Sequence, residues 1–197
     1  MLGRVGTTVA IAMMSACAAA SAFGQDSKQE RKQSQDSFDV NSSVGDLHMG
    51  KDADANKAGL PLYPGAKSRK EANNDPLNFK IVTESFGFKI VVAKYESPDA
   101  ADKVIAFYRD KLKKYGKVLE CHSTGDADDI DPNFDEKDDS HSAKDKELKC
   151  EGENKGPVTE LKVGTENNQH VVAVEPTGAS TRFSLIYVYS RGKQGDI

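Results

Sequence analysis

A single segment of this chain has helical periodicity, while the apolar runs on either side of it follow the spacing of strands. In SPDAADKVIAFYRDKLKKYG (Ser97–Gly116) the residues Ala101, Val104, Ile105, Phe107, Tyr108, Leu112 and Tyr115 recur mostly at three- and four-residue spacing. That spacing lines one apolar stripe on a helix. Ser97 suits the N-cap, Pro98 the first helical position, Asp99 the positive helix end and Gly116 the stop. A helix is therefore predicted over about Pro98–Tyr115, with Val104, Tyr108 and Leu112 buried.

The flanking runs are β-branched and partly alternating: FKIVT (Phe79–Thr83), GFKIVVAKYE (Gly87–Glu96), KVLEC, ELKCE, TELKVG, HVVAVEP and TRFSLIYVYS. In the last, Phe183, Leu185, Tyr187 and Tyr189 share one face. ESFG, GTENNQ and PTGAS are joints of hairpin length. Strands in hairpin order around one helix predict an α+β fold, an antiparallel sheet of about six or seven strands with one main α-helix packed across one face.

The domain is expected to begin at GLPLYPGAK (Gly59–Lys67). Pro64 and Gly65 fit the centre of a type II turn, and two prolines without amide donors keep the segment out of a central strand. Leu60, Leu62 and Tyr63 can then cap the core. Residues 23–58 read as a polar, largely disordered tail, because QDSKQERKQSQDS buries too little apolar surface to offset chain entropy. Phe38–Val40 and Val44–Met49 within it hint at a short hairpin. The domain is taken as 59–191 with an acidic loop at 122–146, followed by a tail at 192–197.

The N-terminus sets the compartment. One base (Arg4), an uncharged run from Val5 to Ala20, and Ala20-Ser21-Ala22 make the layout of a cleavable secretory signal over residues 1–22. The run is short for a membrane span, which needs about 20 apolar residues. MSAC offers an alternative, a lipid anchor at Cys17, although Met14 stands where such sites prefer leucine. Removal of the signal moves the formal charge from -4 to -5 by loss of Arg4. A mildly acidic chain gives no electrostatic case for nucleic acid or anionic lipid. Without Cys17 an even pair remains, Cys121 and Cys150, for which an exported chain predicts a disulfide. Two reduced thiols are the alternative, and a metal site with His122 is a third.

GLPLYPGA, FGFKIVVAKYESPD, VIAFYRDKLKKYGKVLEC, LKVGTENNQHVVAVEP and TRFSLIYVY resemble a family of uncharacterised exported bacterial proteins. Its layout is P-x-Y-P-G-A … Y-x-S-x-D … V-x-x-F-Y, and the resemblance covers most of Gly59–Tyr189. It implies export and these domain limits. No known activity and no catalytic or binding residue comes with it.

Chemistry has few places to reside. GDADDIDPNFDEKDDSH (Gly125–His141) holds eight acidic residues against the single base Lys137, about -7 in all. Asp129, Asp131, Asn133 and Asp135 copy the alternate spacing of a calcium loop. Phe134 replaces the turn glycine and Ser140 the bidentate glutamate, so Ca2+ binding there is expected to be weak, with a solvated acidic loop as the plain reading. The histidines His48, His122, His141 and His170 form no zinc-hydrolase spacing, and no nucleophile elbow, phosphate loop or dinucleotide fingerprint occurs. No catalytic or cofactor-binding residue is assigned.

Tyr63, Tyr108, Tyr115, Tyr187 and Tyr189 with Phe107 and Phe183 read as core, or alternatively as the wall of an apolar ligand cleft. The expected function is a non-enzymatic exported cell-envelope protein, a binding or scaffolding module that is periplasmic or secreted. The alternative is an enzyme or small-ligand carrier with a pocket between helix and sheet.

Overall fold

Runs that alternate along the chain pair with their neighbours into one antiparallel sheet. The computed structural model describes residues 30–34, 37–69, 76–127, 147–150 and 152–191. Its strands are β1 (Glu30–Ser34), β2 (Ser37–Ser42), β3 (Gly45–Gly50), β4 (Lys67–Ser68), β5 (Leu77–Thr83), β6 (Gly87–Ser97), β7 (Leu119–Ser123), β8 (Val158–Thr165), β9 (Asn168–Pro176) and β10 (Thr181–Arg191). The order across the sheet is β1-β2-β3-β5-β6-β10-β9-β8-β7, with the short β4 also paired to β6. The helix α1 (Ala101–Leu112) continues into a 3-10 turn, Lys113–Tyr115.

This is an α+β architecture with more strands than the six or seven expected. The additional strands are the short β4 and three from the polar stretch upstream of Gly59. The hinted hairpin exists as β2 and β3, and it extends the sheet by pairing β3 with β5. ERKQS forms β1 against β2, because a ladder of backbone hydrogen bonds needs no apolar side chains. Of the expected strand ELKCE, the described residues 147–150 contribute one isolated bridge, Glu147 to Thr165. The polar segment is held to β7 by Cys150, which is joined to Cys121 with Cα atoms 5.4 Å apart.

The helix begins later than the sequence implies. Ser97 is wholly buried, and its hydroxyl accepts from the Asp99 amide at 3.1 Å, which makes a local turn instead of a cap. Val104, Tyr108 and Leu112 are fully buried, as the stripe requires. Gly65, at φ +76°, and the Ala66 amide bonded to the Tyr63 carbonyl at 3.1 Å fit the expected turn.

The main core lies between α1 and one sheet face: Val91, Ala93 and Tyr95 of β6, Leu161 and Val163 of β8, Val172 and Val174 of β9, Phe183 and Leu185 of β10. Residues 52–66 cross this face beside the helix as a strap, burying Ala55, Ala58, Leu60 and Tyr63. Side chains satisfy the backbone of the strap. The Ala55 amide donates to the Tyr95 hydroxyl (2.8 Å). Tyr108 accepts from the Tyr63 amide (3.1 Å) and donates to the Pro61 carbonyl (3.2 Å). The domain's entry segment is thus bolted down by three hydrogen bonds to two tyrosines of the core, and it continues into the wall of a cleft.

Candidate functional site

Strand alternation decides which residues share the helix-bearing face. His170, Val172 and Val174 of β9 lie on it together, as do Phe183, Leu185, Tyr187 and Tyr189 of β10. Where α1 runs out, this face is no longer covered. A cleft of about 670 Å³ remains there, lined by Lys57 and Gly59 of the strap, Lys89 of β6, Tyr115 of the 3-10 turn, and residues of β8, β9 and β10 that include Asn168, His170 and Tyr187.

A column of stacked groups forms its back. Lys114 Nζ lies 4.6 Å over the ring of Tyr115, and Tyr115 stacks on His170 with centroids 3.9 Å apart. His170 stacks on Tyr187 at 4.7 Å, and Lys89 Nζ lies 5.1 Å over Tyr187. Cations at both ends of three aromatic rings suit the negative ring faces. The strap fixes the column. His170 Nδ1–H donates to the Ala58 carbonyl at 3.0 Å, and the Tyr115 hydroxyl and Lys114 Nζ both donate to the Gly59 carbonyl. Gly59 sits at φ +74°, and a Cβ there would stand 2.9 Å from His170 Cε1 and 3.0 Å from Tyr115 Oη. Only glycine fits so close an approach in that conformation.

The electrostatics follow from burial and like charge. Burial lowers the His170 pKa, its bond to Ala58 opposes that, and the nearby Lys114 and Lys89 lower it further. A ring between two ammonium groups is thereby kept neutral. Burial also lowers the Lys89 pKa, helped by Lys80 and Lys57. Burial raises that of Tyr187, with Tyr189 and Tyr115 adding to the effect.

Cross-strand register extends the polar surface beyond the cleft. Asp39 stands opposite His48, His48 opposite Lys80, and Lys80 opposite Lys89. The row continues through Tyr189, Asn168 and Thr165. At its β2–β3 end His48 Nδ1 lies 2.6 Å from Asp39 and its Nε2 3.3 Å from Asp52. Asp52 also accepts from Asn78 (3.1 Å) and is ion-paired with Lys57. Burial opposes ionisation of Asp52, but the hydrogen bonds from Lys57, Asn78 and His48 overcome it and lower its pKa to about 2.

The residues singled out in the sequence fall in different places. Tyr63, Tyr108 and Phe183 are core, whereas Tyr115, Tyr187 and Tyr189 line the cleft. The space is therefore at the end of the helix, not under it, and its lining is mixed polar and aromatic. Asp129, Asp131, Asn133 and Asp135, read as a weak calcium loop, lie outside the described residues, as does Cys17. Among the described residues no group of three or more His, Cys, Asp or Glu could hold a metal ion. Cys121 of β7 and Cys150 are paired by the disulfide at the far edge of the sheet, away from the cleft lining.

Lys89 is not singled out by the sequence reading, and His170 enters it only as one of four histidines without zinc-hydrolase spacing. The signal for His170 was present, because alternation in HVVAVEP puts it in phase with Val172 and Val174.

Comparison with protein-family models, with curated proteins and with solved structures finds no match. The disulfide is compatible with an oxidising, exported location, and no helix among the described residues is long and apolar enough to cross a membrane.

Proposed function

We propose that this chain is an exported, non-enzymatic binding module of the cell envelope, and that its ligand seat is the cleft where α1, the strap and the sheet meet. The observation that carries this reading is the Tyr115–His170–Tyr187 column, whose orientation is fixed by bonds to the Ala58 and Gly59 carbonyls. A pre-organised wall with lysines and amides at its rim suits recognition, since a rigid site loses little entropy on binding. Hydrolytic chemistry has little support there. His170 uses Nδ1 on the strap, and the hydroxyl of Ser190, which also lines the cleft, donates to Asn167 Oδ1 at 3.1 Å. A nucleophile needs its base within hydrogen-bond reach. The leader pattern of residues 1–22 and the disulfide support export, to the periplasm or the medium.

The test is a thermal-shift panel of glucose, glucose 6-phosphate, citrate and spermidine on the exported protein and on Asn168→Trp, which places a large ring at the exposed lip of the cleft. At least one probe should raise the Tm of the parent and not that of the variant. Equal shifts in both proteins, or none with any probe, would remove the cleft as the seat.

A further inference from the structure

The cations of the cleft differ in how they are neutralised. Lys57 has Asp52 as its carboxylate partner. Lys89 meets only the Lys57 carbonyl, at 3.5 Å, and the face of Tyr187 among the described residues. The register places Lys80 directly opposite it, and like charges so placed repel. At the other end of the column Lys114 meets a carbonyl and the Tyr115 ring. None of the described lining residues is Asp or Glu.

An ammonium group half withdrawn from water, beside others of its sign and without a carboxylate, gains from a charge-assisted bond to an anion. A bare ion would leave most of a 670 Å³ cleft empty. The hydroxyl of Tyr189, across from Lys89 in the register, and the amide of Asn168, across from Tyr189, offer donors and acceptors for the remainder of a larger molecule.

We propose that Lys89 anchors an oxyanion, a phosphate or carboxylate group, carried by a small organic ligand that lies along the cleft. This rests on the reading of the cleft as the binding seat. The oxyanion could belong to a free metabolite or to a lipid headgroup, and both present the same group to Lys89.

Calorimetric titration of the full exported chain at low salt tests it, with glucose, glucose 6-phosphate and citrate as soluble probes and phosphatidylglycerol vesicles as the lipid arm. The parent should bind glucose 6-phosphate or citrate, and Lys89→Gln should weaken that binding about tenfold, the value of one partly exposed charge-assisted bond. Lys89→Arg should restore most of it. Equal melting of the three proteins without probe shows that each is folded.

Vesicle capture that needs Lys89 and is displaced by glucose 6-phosphate supports the same site with a lipid as the source. Vesicle capture indifferent to Lys89→Gln, or anion binding indifferent to it, overturns the proposal. Glucose binding as tightly as its phosphate, and lost in Asn168→Trp, overturns the oxyanion while leaving the cleft in place. No binding by any probe overturns both.

Discussion

Removing one oxygen atom should loosen the strap. Tyr108 is fully buried, and its hydroxyl alone serves two strap groups, accepting from the Tyr63 amide at 3.1 Å and donating to the Pro61 carbonyl at 3.2 Å. In Tyr108→Phe the ring keeps its contacts with Phe107 (5.0 Å) and Phe183 (5.6 Å), so no sizeable cavity forms. What is lost is hydrogen bonding. A buried group left without a partner costs about 1–3 kcal/mol. The Pro61 carbonyl has a second lone pair and lies beside the half-exposed Leu62, so water can replace part of its loss. The Tyr63 amide is buried in the core and has no such relief.

The expected destabilisation is therefore about 2 kcal/mol, a fall in Tm of roughly 4–8 °C for a domain of this size. The chain has no tryptophan, so urea unfolding is best followed by far-UV circular dichroism. Amide exchange at Tyr63 should accelerate well beyond the change in global stability. A loss below about 0.5 kcal/mol with Tyr63 still protected would refute the idea that side-chain hydroxyls hold the strap.

Gly59→Ala should cost about 2 kcal/mol or more, since positive φ alone is worth roughly 1–2 kcal/mol and the new methyl strikes His170 and Tyr115; denaturation midpoints equal to the parent would contradict the geometry. Leu112→Ala, at a fully buried site on α1, should lose about 2–5 kcal/mol in the same assay. Reduction of Cys121–Cys150 should destabilise by roughly 3–4 kcal/mol in the chain-entropy model, and non-reducing peptide mapping should find one intramolecular link. His170 has a lowered folded pKa, so the unfolded chain takes up its proton first. Its contribution is complete above about pH 6.5 and is lost as pH falls from there through the lower folded value. His170→Gln should flatten that part of a stability–pH curve, and an unchanged slope would show that the ring is not held neutral.

The helix and most strands were legible because each depends on local periodicity. The stripe of Val104, Tyr108 and Leu112 and the alternation of Phe183, Leu185, Tyr187 and Tyr189 mark the core face without knowledge of neighbours. The edge strands were not legible in that way. ERKQS has no apolar face to show, and it is a strand only because β2 offers a ladder. The helix start was misplaced because Ser97, Pro98 and Asp99 carry capping signals, yet Ser97 is buried where β6 ends and its hydroxyl closes a turn of its own.

The cleft was hardest to foresee. Lys57, Gly59, Lys89, Tyr115 and His170 span more than a hundred positions of sequence, and they meet only through strand register and the path of the strap. The strongest local signal for chemistry, the carboxylates around Asp129, falls outside the described residues.

Chemical-shift mapping of the labelled exported protein with glucose 6-phosphate tests the central claim most directly, because it reports where a ligand sits and not only that it binds. The cleft as the ligand seat predicts saturable shifts at the amides of Gly59, Lys89, Tyr115, Asn168 and His170, with Cys121 and its neighbours in β7 unmoved. Shifts confined to the acidic stretch of residues 125–141, or spread evenly over the surface lysines, would contradict it.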